Sequence, residues 1–156
     1  MDATEEATMS SDCETDTASV QVVAEREADG KVLDIYKEIQ KTLGIDFVPN
    51  MYKALASTPD YLEMTWKKVQ MVMGEDGKLG RKTKDIVALT VSIMSGCEYC
   101  IKVYNEAAKH AGLDDDALLE LYEVIDLYSG LNRLNIGLQT KMDEKPWHGC
   151  GGGSRK

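Results

Sequence analysis

Asp85-Ile86-Val87-Ala88-Leu89-Thr90-Val91-Ser92-Ile93-Met94-Ser95-Gly96-Cys97-Glu98-Tyr99-Cys100 is the stretch on which the fold turns. Together with the residues from about Arg81 onward it is too long for a strand, and its apolar side chains leave hardly any polar face. That pattern predicts a buried central helix. Ser95-Gly96 supplies the stop, because glycine adopts the left-handed conformation at a helix end without steric cost. A second helix then begins at Cys97, with Ile101, Tyr104, Ala107, Ala108 and Ala111 facing inward and Gly112 closing it.

The same reading extends in both directions. Towards the N-terminus, Val32, Tyr36, Ile39 and Leu43 recur at helical spacing before Gly44. Phe47-Val48-Pro49-Asn50 is extended before its proline, residues 51–56 make a turn or two, and Thr58-Pro59 opens a helix with Leu62, Trp66, Val69 and Met73 on one face. Residues 74–77 end it. Towards the C-terminus, Leu113 and Asp114 read as a hydrophobic staple and N-cap, with Leu118 at the paired position. The last helices run through Leu118, Leu121, Tyr122, Ile125 and Tyr128, break near Gly130 and resume to about Met142. No strand-type alternation of useful length appears. The expectation is an all-α fold of about six antiparallel helices joined by short loops. The central helices are apolar on more than one side, which predicts an oligomer that covers them.

The chain has 156 residues, 43% hydrophobic and 6% aromatic, a size and composition that suit one domain. Its net charge of −9 is uneven. Nine acids and one base fall in residues 1–30, whereas the rest holds 18 acids and 17 bases. The organisation expected is an acidic, disordered leader over residues 1–30, a helical domain over 31–143 and a glycine-rich tail over 144–156. With no basic stripe, nucleic acid is not an expected partner. No apolar run is long enough for a membrane span, and the acidic start is unlike a secretory signal, so the expected location is cytoplasmic.

Cysteines stand at positions 13, 97, 100 and 150. Cys97 and Cys100, three apart at a helix start, lie on one face with Cβ atoms ~5–6 Å apart, close to disulfide reach. The amide groups and positive dipole end of the first turn favour thiolate, giving a nucleophilic sulfur near neutral pH. An oxidised sulfur of this kind condenses with the neighbouring thiol to a disulfide. Two other readings of the pair remain open at this stage. Zinc would require two further ligands from His110, His148, Cys13 and Cys150, which have no regular spacing, and an inert buried pair would be structural only.

These residues, with Gly44-Ile45-Asp46-Phe47-Val48-Pro49-Asn50, Ser57-Thr58-Pro59, Leu79 and residues 107–112, carry a resemblance to the carboxymuconolactone decarboxylase superfamily. The Cys-Xaa-Tyr-Cys twelve residues after an acid in an apolar helix resembles its alkylhydroperoxidase AhpD-like branch. The resemblance covers about residues 33–140. Lactone decarboxylases of the superfamily lack the cysteine pair, which argues against decarboxylation. The resemblance implies an oligomeric AhpD-like helical bundle, trimeric or hexameric, that reduces hydroperoxides and is recharged by a dithiol donor such as a lipoyl-bearing or thioredoxin-like protein. No bound cofactor or metal is required, since thiols supply the electrons.

By position, the resemblance implies that Cys100 attacks peroxide, Cys97 resolves, and Asp85 takes the place of a proton-moving glutamate. Tyr104 stands where the family motif usually has histidine, and Tyr99 where some members have another. A phenol donates a hydrogen bond or proton but is a poor base at neutral pH. On its own helix Asp85 shares a face with Leu89 and Ser92, so a polar track towards Cys100 is expected. His110, near a helix C-terminus, reads as a surface residue, and Trp147-His148-Gly149-Cys150 as part of the exposed tail. The rival functions are disulfide exchange without peroxide reduction and a non-catalytic oligomeric binding or scaffold protein of the same fold.

Overall fold

The computed structural model describes residues 18–74 and 77–144, which hold six α-helices, one 3-10 turn and no strand. The all-α expectation is met. The chain divides into two compact units, Met1–Leu79 and Gly80–Lys156. Gly74, Gly77 and Gly80 crowd the connection and offer few side chains to pack there.

The first unit contains α1 (Gly30–Leu43), α2 (Asn50–Leu55) and α3 (Pro59–Met73). Val32, Ile35, Tyr36 and Ile39 of α1 form a core with Val48, Tyr52, Ala56, Leu62 and Trp66. The Tyr52 and Trp66 rings meet edge to face at 5.5 Å. Pro59 opens α3 at a first-turn position, as its missing N–H allows, although the Thr58 hydroxyl donates back to the Leu55 carbonyl (3.1 Å) instead of capping α3.

The N-terminal boundary lies earlier than residue 31. Val22 and Ala24 are buried, and the Val23 amide donates to the Lys53 carbonyl at 3.2 Å. The carboxylate of Glu25 accepts from the Val48 amide (2.9 Å) and Gln40 Nε2 (2.9 Å), and pairs with buried Lys53 (3.1 Å). An acid-rich segment can therefore join a core, because its charge meets partners distant in sequence. Residues 1–17 and 145–156, including Cys13, Trp147, His148 and Cys150, lie outside the described residues.

The second unit contains α4 (Arg81–Ser95), α5 (Glu98–His110) and α6 (Asp115–Leu138). Leu89, Ala108, Leu113 and Leu118 form its core, flanked by Ile86, Ile93, Ile101, Tyr104, Ala117 and Leu121. The α4–α5 turn forms as expected at Gly96, whose φ of +69° is one that other residues rarely adopt. The staple and cap also form: Leu113 and Leu118 are buried, and Asp114 Oδ1 accepts from the Ala117 amide at 2.9 Å.

Two expectations are corrected here. There is no break at Gly130: α6 passes through it to Leu138, because an isolated glycine costs a helix only about 1 kcal/mol relative to alanine. Nor is α4 sealed within its unit. Its buried residues are Asp85, Leu89 and Ser92, while Val87, Val91 and Met94 are more than half exposed at 52%, 58% and 56%. No helix among the described residues is long and apolar enough to cross a membrane.

The core assignment predicts that Leu89→Ala, at a side chain with no solvent exposure, destabilises the protein by about 3 kcal/mol in urea unfolding. Asp114→Ala should cost about 1 kcal/mol through loss of the cap. A Leu89→Ala effect no larger than the cap effect would contradict the packing described.

Candidate active site

The site is assembled from one unit and centres on the junction between α4 and α5. Gly96 N–H donates to the Ile93 carbonyl and Cys97 N–H to the Ser92 carbonyl, both at 3.1 Å. The Cys97 backbone amide thus closes α4. Its side chain opens α5: Cys97 is the N-cap, and its Sγ accepts from the Cys100 amide at 3.4 Å. Sulfur takes the place usually held by the oxygen of Ser, Thr, Asp or Asn.

Both cysteines are free thiols of intermediate exposure. The Cys100 side chain and amide both bond to Cys97 Sγ and, with the Tyr99 amide, hold its thiol below the usual range. The same thiol–thiol bond, followed by burial and the Cys97 charge, pushes Cys100 up. Within the pair, Cys97 is therefore the lowered thiol and Cys100 the raised one. This asymmetry follows from position: the cap residue's sulfur faces the amides of the first turn, whereas Cys100 contributes one of those amides.

On α4, the Asp85 side chain is 2% exposed, while that of Arg81 is 52% exposed. Arg81 Nε donates to both carboxylate oxygens, at 3.0 and 2.9 Å. Asp85 is consequently buried and paired. Ser92, also buried on this face, donates its hydroxyl to the Ala88 carbonyl at 2.7 Å, so the polar side chains along α4 are satisfied locally. Tyr104 packs beside the core of the second unit. Burial raises its phenol pKa, the charges of Cys100 and Asp85 raise it further, and Arg81 opposes them.

At the α4–α5 hairpin, Cys97 and Cys100 thus act on each other, and Tyr104 lies in the field of Cys100 and Asp85. Tyr99, 43% exposed, contributes its amide to Cys97 while its ring lies towards solvent. His110 is exposed at the last residue of α5. The polar residue that sequence reasoning missed is Arg81. Its signal was present as the i, i+4 spacing to Asp85, which places opposite charges on one helix face. Among the described residues, no three His, Cys, Asp or Glu side chains gather to hold a metal ion.

An all-helical domain with a paired thiol at a helix mouth defines a class of small dithiol proteins, and comparison with known proteins narrows it. Residues 59–139 match the carboxymuconolactone decarboxylase family. The chain is also similar to the alkylhydroperoxidase AhpD core from Rhodospirillum rubrum, with a TM-score of 0.77 and 31% identity, covering 82% of this chain and 96% of that one. An (R)-2-haloacid dehalogenase of Pseudomonas putida is 30% identical over 117 residues, 74% of this chain. The chain spans only 38% of that dehalogenase. This protein belongs to the carboxymuconolactone decarboxylase family, in its AhpD-like branch.

The sulfur geometry predicts the order of alkylation. A lowered pKa keeps Cys97 ionised as pH falls below the usual thiol range, and its rate declines only on passing through the lowered value. Cys100 needs a higher pH to ionise. Mass-spectrometric mapping after brief iodoacetamide treatment near neutral pH should find Cys97 modified first. Modification of Cys100 first would reverse the assignment.

Proposed function

We propose that this protein is a thiol-dependent peroxidase of the thiol–disulfide oxidoreductase class, reducing hydroperoxides through Cys97 and Cys100. The observation that carries the reading is the Cys100 amide bonded to Cys97 Sγ at 3.4 Å, beside the second free thiol. A stabilised thiolate next to a protonated thiol supplies both a nucleophile and a resolving group.

The resemblance gives the attacking role to Cys100, but the sulfur environment supports Cys97. In this scheme the Cys97 thiolate attacks one peroxide oxygen and the O–O bond breaks. The departing alkoxide takes a proton, leaving a sulfenic acid on Cys97. Cys100 then attacks Cys97 Sγ, the S–S bond forms, and the hydroxyl leaves as water with the proton from Cys100. Tyr104, kept protonated by its raised pKa, suits the role of proton donor to the alkoxide. Asp85 pairs with Arg81 and acts on Tyr104 through its field. Two electrons from a thiol donor restore the pair, and a lipoyl-bearing or thioredoxin-like dithiol protein is the donor that the resemblance implies. A reducing, cytoplasmic setting is consistent with two free thiols and belongs to the same proposal.

Assembly is part of the reading. Along α6, Leu127, Tyr128, Leu131, Leu134, Ile136 and Leu138 are exposed, as are Val87, Val91 and Met94 of α4. A second copy covering them would bury surface too apolar to remain in water, and the resemblance implies a trimer or hexamer. Sedimentation of the full chain tests this, and a monomer at micromolar concentration would remove it.

The absence of a basic side chain at Tyr104 favours a second reading, disulfide exchange alone, because exchange expels a thiolate and needs no acid–base partner for an alkoxide. Stopped-flow peroxide consumption by the reduced protein separates the two. The proposal predicts a burst well above the free-thiol rate. Cys100→Ser should keep one turnover ending in a trapped sulfenic acid, and Cys97→Ser should lose it. The opposite pattern would restore the roles implied by the resemblance. No burst, with reversible formation of the Cys97–Cys100 bond, would leave exchange. No burst and no bond would leave a binding or scaffold protein.

A further inference from the structure

The environment of Cys97 has an energetic consequence for the disulfide that replaces it. In the reduced protein its sulfur is the acceptor that caps α5, taking the Cys100 amide at 3.4 Å, and an amide aimed at sulfur in this way favours the thiolate over the thiol. The Ile101 amide makes the first intrahelical bond to the Cys97 carbonyl at 2.9 Å, so the sulfur is held by the helix that it opens. The backbone around the sulfur is fixed from the other side as well, by the Cys97 amide bound to Ser92 and by the left-handed Gly96. Folding therefore presents a prepared site for a negatively charged sulfur. A disulfide sulfur carries no charge and is a weaker acceptor, so the same site does less for the oxidised state.

We infer that folding stabilises the reduced Cys97–Cys100 pair over its disulfide, making that disulfide an oxidising one that ordinary monothiols of the glutathione class can reduce. The inference rests on the proposed redox role of the pair and extends it to the class of electron donor. It is a thermodynamic cycle: whatever folding contributes to the reduced form beyond the oxidised form appears as a shift in the pair's equilibrium with any external thiol. A donor of especially low potential is then unnecessary.

The recharging steps balance with the monothiol as the only added reagent. A monothiol thiolate attacks Cys100 Sγ, and the Cys97–Cys100 bond breaks with its electron pair leaving on Cys97. Cys97 is the favoured leaving group, because its thiolate returns to the amides that stabilise it. A second monothiolate attacks the external sulfur of the mixed disulfide, forming the external disulfide. Cys100 leaves and takes up a proton. Two monothiols are oxidised, and the pair gains two electrons.

The test uses the full chain with Cys13→Ser and Cys150→Ser, so that only the pair is counted. It is equilibrated in a series of reduced and oxidised glutathione mixtures, once folded and once in concentrated urea, then acid-quenched and scored for the Cys97–Cys100 bond. The folded pair should require a glutathione mixture about tenfold or more further towards the oxidised side than the unfolded pair, tenfold corresponding to ~30 mV for two electrons. In parallel, the reduced protein should unfold at higher urea than the oxidised protein. Coincident titrations, or greater stability of the oxidised form, would overturn the inference. No peroxide enters the measurement. Failure of the peroxidase proposal would therefore leave this result standing, and failure here would leave the peroxide burst to be judged separately.

Discussion

The hydrogen bond from the Cys100 amide to Cys97 Sγ is the interaction on which this account of the protein depends. It joins two helices through one residue. The amide of Cys97 ends α4 at the Ser92 carbonyl, and its sulfur begins α5. Between these contacts stands Gly96 at a φ that a side chain would strain. The reactive sulfur is thereby part of the helix junction rather than an addition to it. Its ionisation, its reach to Cys100 and the start of α5 vary together.

Around that junction the polar groups divide by function. Arg81 holds Asp85 through one N–H shared between both carboxylate oxygens, which keeps a charge inside the α4 face without leaving it unpaired. Burial raises the Tyr104 phenol, the charges of Cys100 and Asp85 add to it, and Arg81 opposes them. A histidine at position 104 would exchange protons near neutral pH, whereas the phenol can only donate. The chemistry available to this chain is weighted accordingly towards the sulfur atoms, and the supporting side chains act by field and hydrogen bonding.

Much of this was legible in the sequence wherever the deciding interaction is short-range. Gly96 after an apolar run, Leu113 and Asp114 before Leu118, and Pro59 at a helix start each signal their structure within a few residues. The all-α architecture follows from such signals. The readings that failed depend on distant partners or on small energy differences. Val22 and Ala24 enter the core because Glu25 finds Val48, Gln40 and Lys53, contacts that an acid-rich leader does not announce. Gly130 lies inside α6 because one glycine is a weak break without proline or a cap. The cysteine pair was visible as a pair, but which thiol is lowered was not: that depends on Cys97 occupying the cap itself, one residue before the first turn of α5.

The central claim is that the amide of Cys100 stabilises a thiolate on Cys97, and one titration by nuclear magnetic resonance tests it directly. The chemical shifts of the Cys97 Cβ and the Cys100 amide proton are followed together as pH is raised on the reduced protein. The account predicts that both move with one midpoint below the usual thiol range, the amide proton shifting as its acceptor gains charge. A Cys100 amide that does not respond, or a Cys97 midpoint at the ordinary thiol value of about 8.5, would contradict it.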